Sequence, residues 1–353
     1  MKIDTALLAP TLDAIIPAAQ KAEALGFDAL WTSETQHNPM FPLVLAAEHT
    51  EHIHLGTSIA VAFARSPMDM AYQAWDLAQF SRGRFILGLG TQVKAHIERR
   101  FSMPWGPPVP KLREYILALR AIWHSWQTGE RLNFRGTFYT ITLMSPFFNP
   151  GPIEHPDIPI YIAGVNEGLC RLAGEVADGF HVHPLNSAQY VRECVRPWIA
   201  EGARSAGRPP DEVAISVTVF VVTGRDEAEI ERAKAPVREQ IAFYASTPTY
   251  RTVFELHGWD HVAAELSRLA ARQRWEEMPA LITDEMLDTF AVVAPHDRLA
   301  QAVKARYAGL ADRITYYAAF LDGDEAFWRE TVRAFRESGD TASSGHREDP
   351  HVR

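Results

Sequence analysis

Glu34 and His37 stand three residues apart in the run Thr32-Ser33-Glu34-Thr35-Gln36-His37-Asn38-Pro39, directly after a segment with the composition of a β-strand. An imidazole titrates near neutral pH and can take or give a proton; a carboxylate beside it can orient it or bind the edge of a ligand ring. A capped loop with no catalytic role explains the same cluster equally well. Later segments carry other polar groups. Leu55-Gly-Thr-Ser58-Ile59-Ala-Val61 sets small polar residues inside an apolar run, the pattern of a bulge or of close ligand approach. Gly88-Leu-Gly90-Thr91-Gln92 leaves backbone open to a flat ring, and Ala163-Gly164-Val165-Asn166 precedes a helix, whose first N–H groups suit a phosphate. His181 and His183 are two apart on a strand and share a face, which raises a metal-dependent hydrolase as an alternative. No carboxylate set at later strand ends completes such a site, so no metal ligand is assigned.

These groups need elements that bring them to one place. Strand-like segments run over Ile3–Leu8, Asp28–Ser33, Ile53–Val61, Arg84–Gly90, Ile158–Ala163, Gly179–His183, Ala214–Val222 and Arg313–Tyr317. Helical spacing of apolar residues marks Leu12–Leu25, stopped by Gly26, then Pro42–Thr50 and Leu112–Trp126. Ser66-Pro67-Met68-Asp69 reads as a helix start, with proline in the first turn and a serine three residues before an acid. Three junctions rhyme: Leu25-Gly-Phe-Asp28-Ala, Val176-Ala-Asp178-Gly and Gly309-Leu-Ala-Asp312-Arg. Repeated helix-to-strand units of this kind imply parallel strands. Eight of them favour an α/β class fold, a (β/α)8 TIM barrel with inserted loops at its C-terminal face. No G-x-G-x-x-G follows the first strand, which weakens a doubly wound nucleotide fold. Four stretches read as long loops: Thr91–Lys111, Gly129–Asp157, Ser246–His257 and Trp275–Asp284. Phe101, Trp105, Phe147 and Phe148 make them either water-excluding caps or a subunit interface.

The chain has 353 residues and a net charge of −9, against the concentrated basic face that nucleic acid requires. Its two cysteines, Cys170 and Cys194, form no C-x-x-C pair. The N-terminus lacks a signal-peptide core and no apolar run approaches membrane-spanning length, so a cytoplasmic protein without membrane contact is expected. Residues 1–337 read as one barrel domain and 338–353 as a disordered polar tail.

Taken in order, Leu25-Gly-Phe-Asp-Ala-Leu-Trp-Thr-Ser-Glu34, Leu55-Gly-Thr-Ser58, Gly83-Arg-Phe-Ile-Leu-Gly-Leu-Gly90 and Ala173-Gly-Glu-Val-Ala-Asp-Gly179 resemble the bacterial-luciferase-like family of flavin and deazaflavin enzymes, from roughly Ile3 to Phe335. The run Thr91–Trp105 resembles the branch assigned to the deazaflavin coenzyme F420. The resemblance implies a barrel oxidoreductase with a non-proline cis peptide at Ser58–Ile59. It implies coenzyme-ring contacts at Glu34, Ser58, Ile59, Gly90, Thr91, Gln92 and His96, and phosphate contacts at Ala163, Gly164 and Val165, with His183 and Pro184 nearby. His37, helped by Glu34, would carry the proton while a hydride passes between coenzyme F420 and a small organic substrate. The alternative is an FMN-dependent monooxygenase supplied with reduced flavin by a reductase. A homodimer is expected. One departure stands out: many members have histidine directly after the acid, where this chain has Thr35. That departure also admits a relative that binds coenzyme without catalysis.

Overall fold

The computed structural model describes residues 1–7, 11–318 and 324–337; the tail assigned to 338–353, and Leu8 of the first strand, lie outside them. Eight strands close a parallel ring: β1 Lys2–Ala6, β2 Ala29–Thr32, β3 His54–Thr57, β4 Phe85–Gly90, β5 Ile160–Gly164, β6 Gly179–Val182, β7 Ala214–Val222 and β8 Arg313–Tyr316. β8 returns to β1 with Arg313 opposite Lys2 and Ile314 opposite Ile3, so the sheet has no free edge there.

The three rhyming junctions have a common structural job. Asp28, Asp178 and Asp312 each precede a strand, and each accepts a hydrogen bond from the backbone N–H of the preceding barrel strand: Ile3, Ile160 and Ile215, all at 2.8 Å. The same aspartates donate their own N–H groups back to the carbonyls of Ile3, Ile160 and Ile215 at 2.8–2.9 Å. A carboxylate extends the ladder one step below the point where the strands diverge. It satisfies an amide that burial would otherwise orphan.

Helices cover the outside. Ile15–Leu25 buries Ile15, Ala18, Ala19, Ala22 and Leu25, and ends at Gly26 in the left-handed conformation, φ 89°. Pro67–Phe80 begins as its sequence implies, with Ser66 Oγ accepting from Asp69 N–H at 3.1 Å. The long helix runs over Pro108–Thr128 and buries Leu112, Tyr115, Ile116, Leu119, Trp123 and Trp126 against the barrel. A separate small core fills the ring itself, built from Ala29, Trp31, Ile86 and Tyr161.

Several expectations change. The third strand is not continuous over Ile53–Val61: it stops at Thr57 and resumes as Ala60–Val61, which pairs with Leu89 and Gly90 of β4. The break falls at Ser58–Ile59, whose peptide bond is cis. The four long loops are partly regular. Thr91–Lys111 contains the helix Lys94–Arg99 and the start of Pro108–Thr128, and Gly129–Asp157 contains a two-stranded hairpin, Phe134–Arg135 with Thr140–Ile141. Ser246–His257 holds a 3-10 turn, Pro248–Tyr250, and the helix Arg251–Leu256; Trp275–Leu281 is 3-10. These belong to a larger helical insertion between β7 and β8. It opens with Glu227–Ala245, capped by Asp226 accepting from Glu229 N–H at 2.8 Å, and ends in a short strand, Ala291–Val293, beside the end of β7.

Candidate coenzyme and active site

The ends of β2, β3 and β4 form one rim of the barrel. Thr57 ties β3 to β4 through its hydroxyl, which donates to Gly88 O at 2.6 Å and accepts from Gly88 N–H at 2.9 Å. The approach is so close that a Cβ on Gly88 would lie 1.7 Å from Thr57 O. Two residues on, a Cβ on Gly90 would meet the Ile59 side chain at 2.6 Å, so Ile59 lies directly on bare backbone. Beyond Gly90 the chain turns sharply at Gln92, φ 57°, a conformation costing a non-glycine residue roughly 1 kcal/mol and concentrated at functional sites. Thr91 and Gln92 are half-buried there, while His96 is exposed on the helix Lys94–Arg99.

Glu34 is buried, but its carboxylate faces the third strand instead of His37. Oε2 accepts from Val61 N–H and from Arg65 Nη1, both at 2.7 Å, and Oε1 accepts from Arg65 Nη2 at 2.8 Å. The Glu34 N–H donates to Ile59 O at 3.1 Å. Glu34 thus holds the segment that follows the strand break, from Ile59 to Arg65. His37 is exposed on the following loop and makes no hydrogen bond to Glu34. The loop is held by Arg100, which donates to Thr35 O at 2.6 Å.

On the far rim, Ala163 and Gly164 end β5, and Val165 leads into the helix Glu167–Val176 with Asn166 at its N-cap. His183 and Pro184 follow β6 beside them and are half-buried. His183 stacks on Tyr250 at 4.1 Å and meets Tyr244 edge-on at 4.6 Å. Its Nδ1 accepts from Leu185 N–H at 3.1 Å, so the neutral ring carries its proton on Nε2. Burial pulls its pKa down to about 3 and keeps it neutral.

His181 is in a different place. It lies inside the barrel against Trp31, 4.8 Å edge-on, and Tyr161, 5.2 Å. Burial, and secondarily the nearby Arg313 guanidinium, lower its pKa to about 3; its Nε2 faces the Thr57 side of the ring without a well-formed hydrogen bond. The two histidines therefore do not converge. Among the described residues no group of three or more His, Cys, Asp or Glu side chains is placed to hold a metal ion.

Of the aromatic loop residues, Trp105 packs edge-on against Phe63 at 5.8 Å, next to the Arg65 end of the rim. Phe147 and Phe148 stand exposed beside the helix Pro67–Phe80, where Tyr72 Oη donates to Phe148 O at 2.7 Å. Arg65, Tyr244 and Tyr250 are site residues that sequence spacing gave no means of finding. Arg65 reaches Glu34 across 31 positions, and the tyrosines come from the β7–β8 insertion.

The barrel mouth sets Thr57 and Ile59 on Gly88 and Gly90 and starts a helix after Val165, and by the families to which the chain is related it is an oxidoreductase of the F420- or flavin-dependent kind. The chain belongs to the luciferase-like monooxygenase family, which matches residues 1–313. It is 50% identical over 311 residues to an uncharacterised protein of Mycobacterium tuberculosis, covering 86% of this chain and 92% of that one. It is 30% identical over 287 residues to the 5,10-methylenetetrahydromethanopterin reductase of Methanolobus tindarius, covering 79% and 82%. In fold it is similar to the coenzyme F420-dependent tetrahydromethanopterin reductase of Methanopyrus kandleri, with a TM-score of 0.75 at 22% identity, over 94% of this chain and 96% of that one. Similar chains include both proteins named for coenzyme F420 and an FMN-bound monooxygenase. Among the described residues no helix is long and apolar enough to cross a membrane.

Proposed function

We propose that this protein is an F420-dependent oxidoreductase acting on a small organic substrate at the C-terminal mouth of the barrel. The observation that carries the reading is the pairing, on two sides of one barrel mouth, of two complementary seats. Ile59 on bare Gly90, with the turn at Gln92, offers a flat apolar ledge for a ring. The Ala163–Val165 turn and the helix start behind it offer N–H donors for a phosphate. When bound, the deazaflavin supplies hydride transfer at its C5. The chain's residues bind and orient it. Ser58, Ile59, Gly90, Thr91 and Gln92 hold the ring, with His96 at the edge; Ala163, Gly164 and Val165 hold the phosphate, flanked by His183 and Pro184. Glu34 shapes the ring seat from beneath through Arg65 and the Val61 N–H. His37, on the loop fastened by Arg100, is the proton carrier.

Identity to an F420-named relative supports F420 over FMN. The phosphate seat suits both, so an FMN monooxygenase drawing reduced flavin from a reductase is the second reading. One experiment separates them. Titration with F420 and FMN side by side is expected to give micromolar-range F420 affinity and weaker FMN affinity, and His37→Ala to lower turnover by roughly 100-fold with coenzyme affinity retained. No F420 binding, with oxygen uptake on reduced FMN, overturns the first reading in favour of the second.

The helices Met40–Glu48 and Pro67–Phe80 leave an apolar groove lined by Phe41, Val44, Leu77 and Phe80, with Phe41, Val44 and Phe80 exposed. Contiguous exposed apolar surface of this kind marks an association site. We assign it to a second copy of this chain, giving a homodimer. Phe41→Glu is expected to halve the mass measured by light scattering, and an unchanged mass would remove the groove from the interface.

A further inference from the structure

The turn assigned to the coenzyme phosphate is held from behind by residues to which the coenzyme reading gives no role. Tyr190 is buried, and its hydroxyl donates to Val165 O; the Cys170 thiol lies 3.9 Å from the same carbonyl. The Tyr190 N–H donates to Ser187 Oγ at 3.0 Å, capping the short helix Ala188–Tyr190. Ser187 Oγ in turn lies 2.8 Å from His257 Nε2. His257 follows the helix Arg251–Leu256 in the β7–β8 insertion, where it is stacked on Trp259 at 5.1 Å and edge-on to Phe290 at 5.7 Å. The same insertion also touches the residue after the turn and the neighbouring end of β6. Asn166 Nδ2 donates to Thr249 O at 3.3 Å, and Tyr250 stacks on His183.

Resting on the coenzyme reading above, we infer that Tyr190, held by Ser187 and His257, is a positioning residue for the phosphate-binding turn and makes the site selective for phosphorylated coenzymes. The reason is peptide geometry. In a planar trans peptide the C=O and the following N–H point in opposite directions. Tyr190 draws the Val165 carbonyl into the buried interior, so the Asn166 N–H is aimed the other way, toward the exposed helix start where Asn166 itself lies. A phosphate receives a donor already oriented, and no binding energy is spent on turning the peptide. Ser187 and His257 restrain Tyr190 through its backbone, and the rings around His257 restrain His257. The inserted segment thus acts as the back wall of the phosphate seat.

The test compares coenzymes with and without the phosphate: FMN against riboflavin, and F420 against the same deazaflavin lacking its phosphate. Each is titrated by fluorescence into wild-type, Tyr190→Phe and His257→Phe protein. Tyr190→Phe keeps the ring and removes only the donor. It is expected to weaken FMN and F420 binding by about tenfold, leave the phosphate-free forms unchanged and retain a cooperative thermal transition. His257→Phe keeps the stack on Trp259 and is expected to show the same selectivity at about threefold. Equal weakening of both members of a pair, or no weakening, overturns the inference while the coenzyme reading stands. Wild-type protein that binds none of the four overturns both.

Discussion

Glu34→Ala is expected to lower the free energy of unfolding by about 3–5 kcal/mol and to weaken coenzyme binding with it. The carboxylate is 6% exposed and its partner Arg65 13%, and the pair is bidentate at 2.7 and 2.8 Å. Removing the acid leaves a guanidinium with little water to replace it, and also strips Val61 N–H of its acceptor. Both losses fall beside the strand break that carries Ile59, so the damage concentrates at the proposed ring seat. Glu34→Gln keeps the shape and an acceptor for Val61, and is expected to cost less, about 1–3 kcal/mol. A Glu34→Leu, Arg65→Met double variant removes both charges and is expected to regain most of the stability without regaining coenzyme affinity. Urea unfolding with a parallel coenzyme titration reads both. A loss below 1 kcal/mol for Glu34→Ala would mean that water reaches Arg65 and that Glu34 does not hold the seat.

The second large effect lies inside the ring. Asp4 accepts from Arg313 Nε and Nη2, both at 2.7 Å, and from Trp31 Nε1 at 3.0 Å, and its side chain is 0% exposed against 5% for Arg313. These residues sit on β1, β8 and β2, so the ion pair spans the junction where the barrel closes. Asp4→Ala strands both a buried cation and an indole N–H. Its expected cost is again about 3–5 kcal/mol, at the upper end because three N–H donors on two side chains lose one acceptor. Asp4→Leu with Arg313→Met removes both charges and is expected to recover part of that loss, remaining about 1–3 kcal/mol below wild type because the Trp31 indole N–H still lacks its acceptor. Chemical denaturation of the single and double variants forms the cycle. Additive effects in that cycle would show that the two groups do not depend on each other.

Much of this architecture is written locally. Gly26 stops a helix because only glycine enters the left-handed region cheaply, and Ser66 starts one because its hydroxyl reaches Asp69 N–H. The three aspartates at the rhyming junctions are legible as repeats, though that each staples a neighbouring strand is not. The β7–β8 insertion shows a limit of a different sort. Its first helix, capped by Asp226, lies between strand-like and loop-like stretches that gave no sign of it, and its proline-containing stretches, Pro248–Tyr250 and Trp275–Leu281, read as loops and fold as tight 3-10 turns. Turn residues specify a local bend without specifying what the bend packs against.

The sequence by itself determined the alternation of strands and helices, and with it the barrel and the rim on which Glu34, Gly90 and Gly164 must meet. Hydrophobic period, caps and strand-end position are properties of neighbouring residues, and neighbours are what a sequence lists. Only the tertiary structure decided what those residues do for one another. It turned Glu34 away from His37 and onto Arg65, put His181 in the barrel core and His183 on the rim, and brought Tyr190 and His257 behind the Val165 carbonyl. Each of those pairings joins groups that chain closure places within hydrogen-bonding or van der Waals reach. No local preference of either residue encodes its partner; burial and the need to satisfy every buried polar group do.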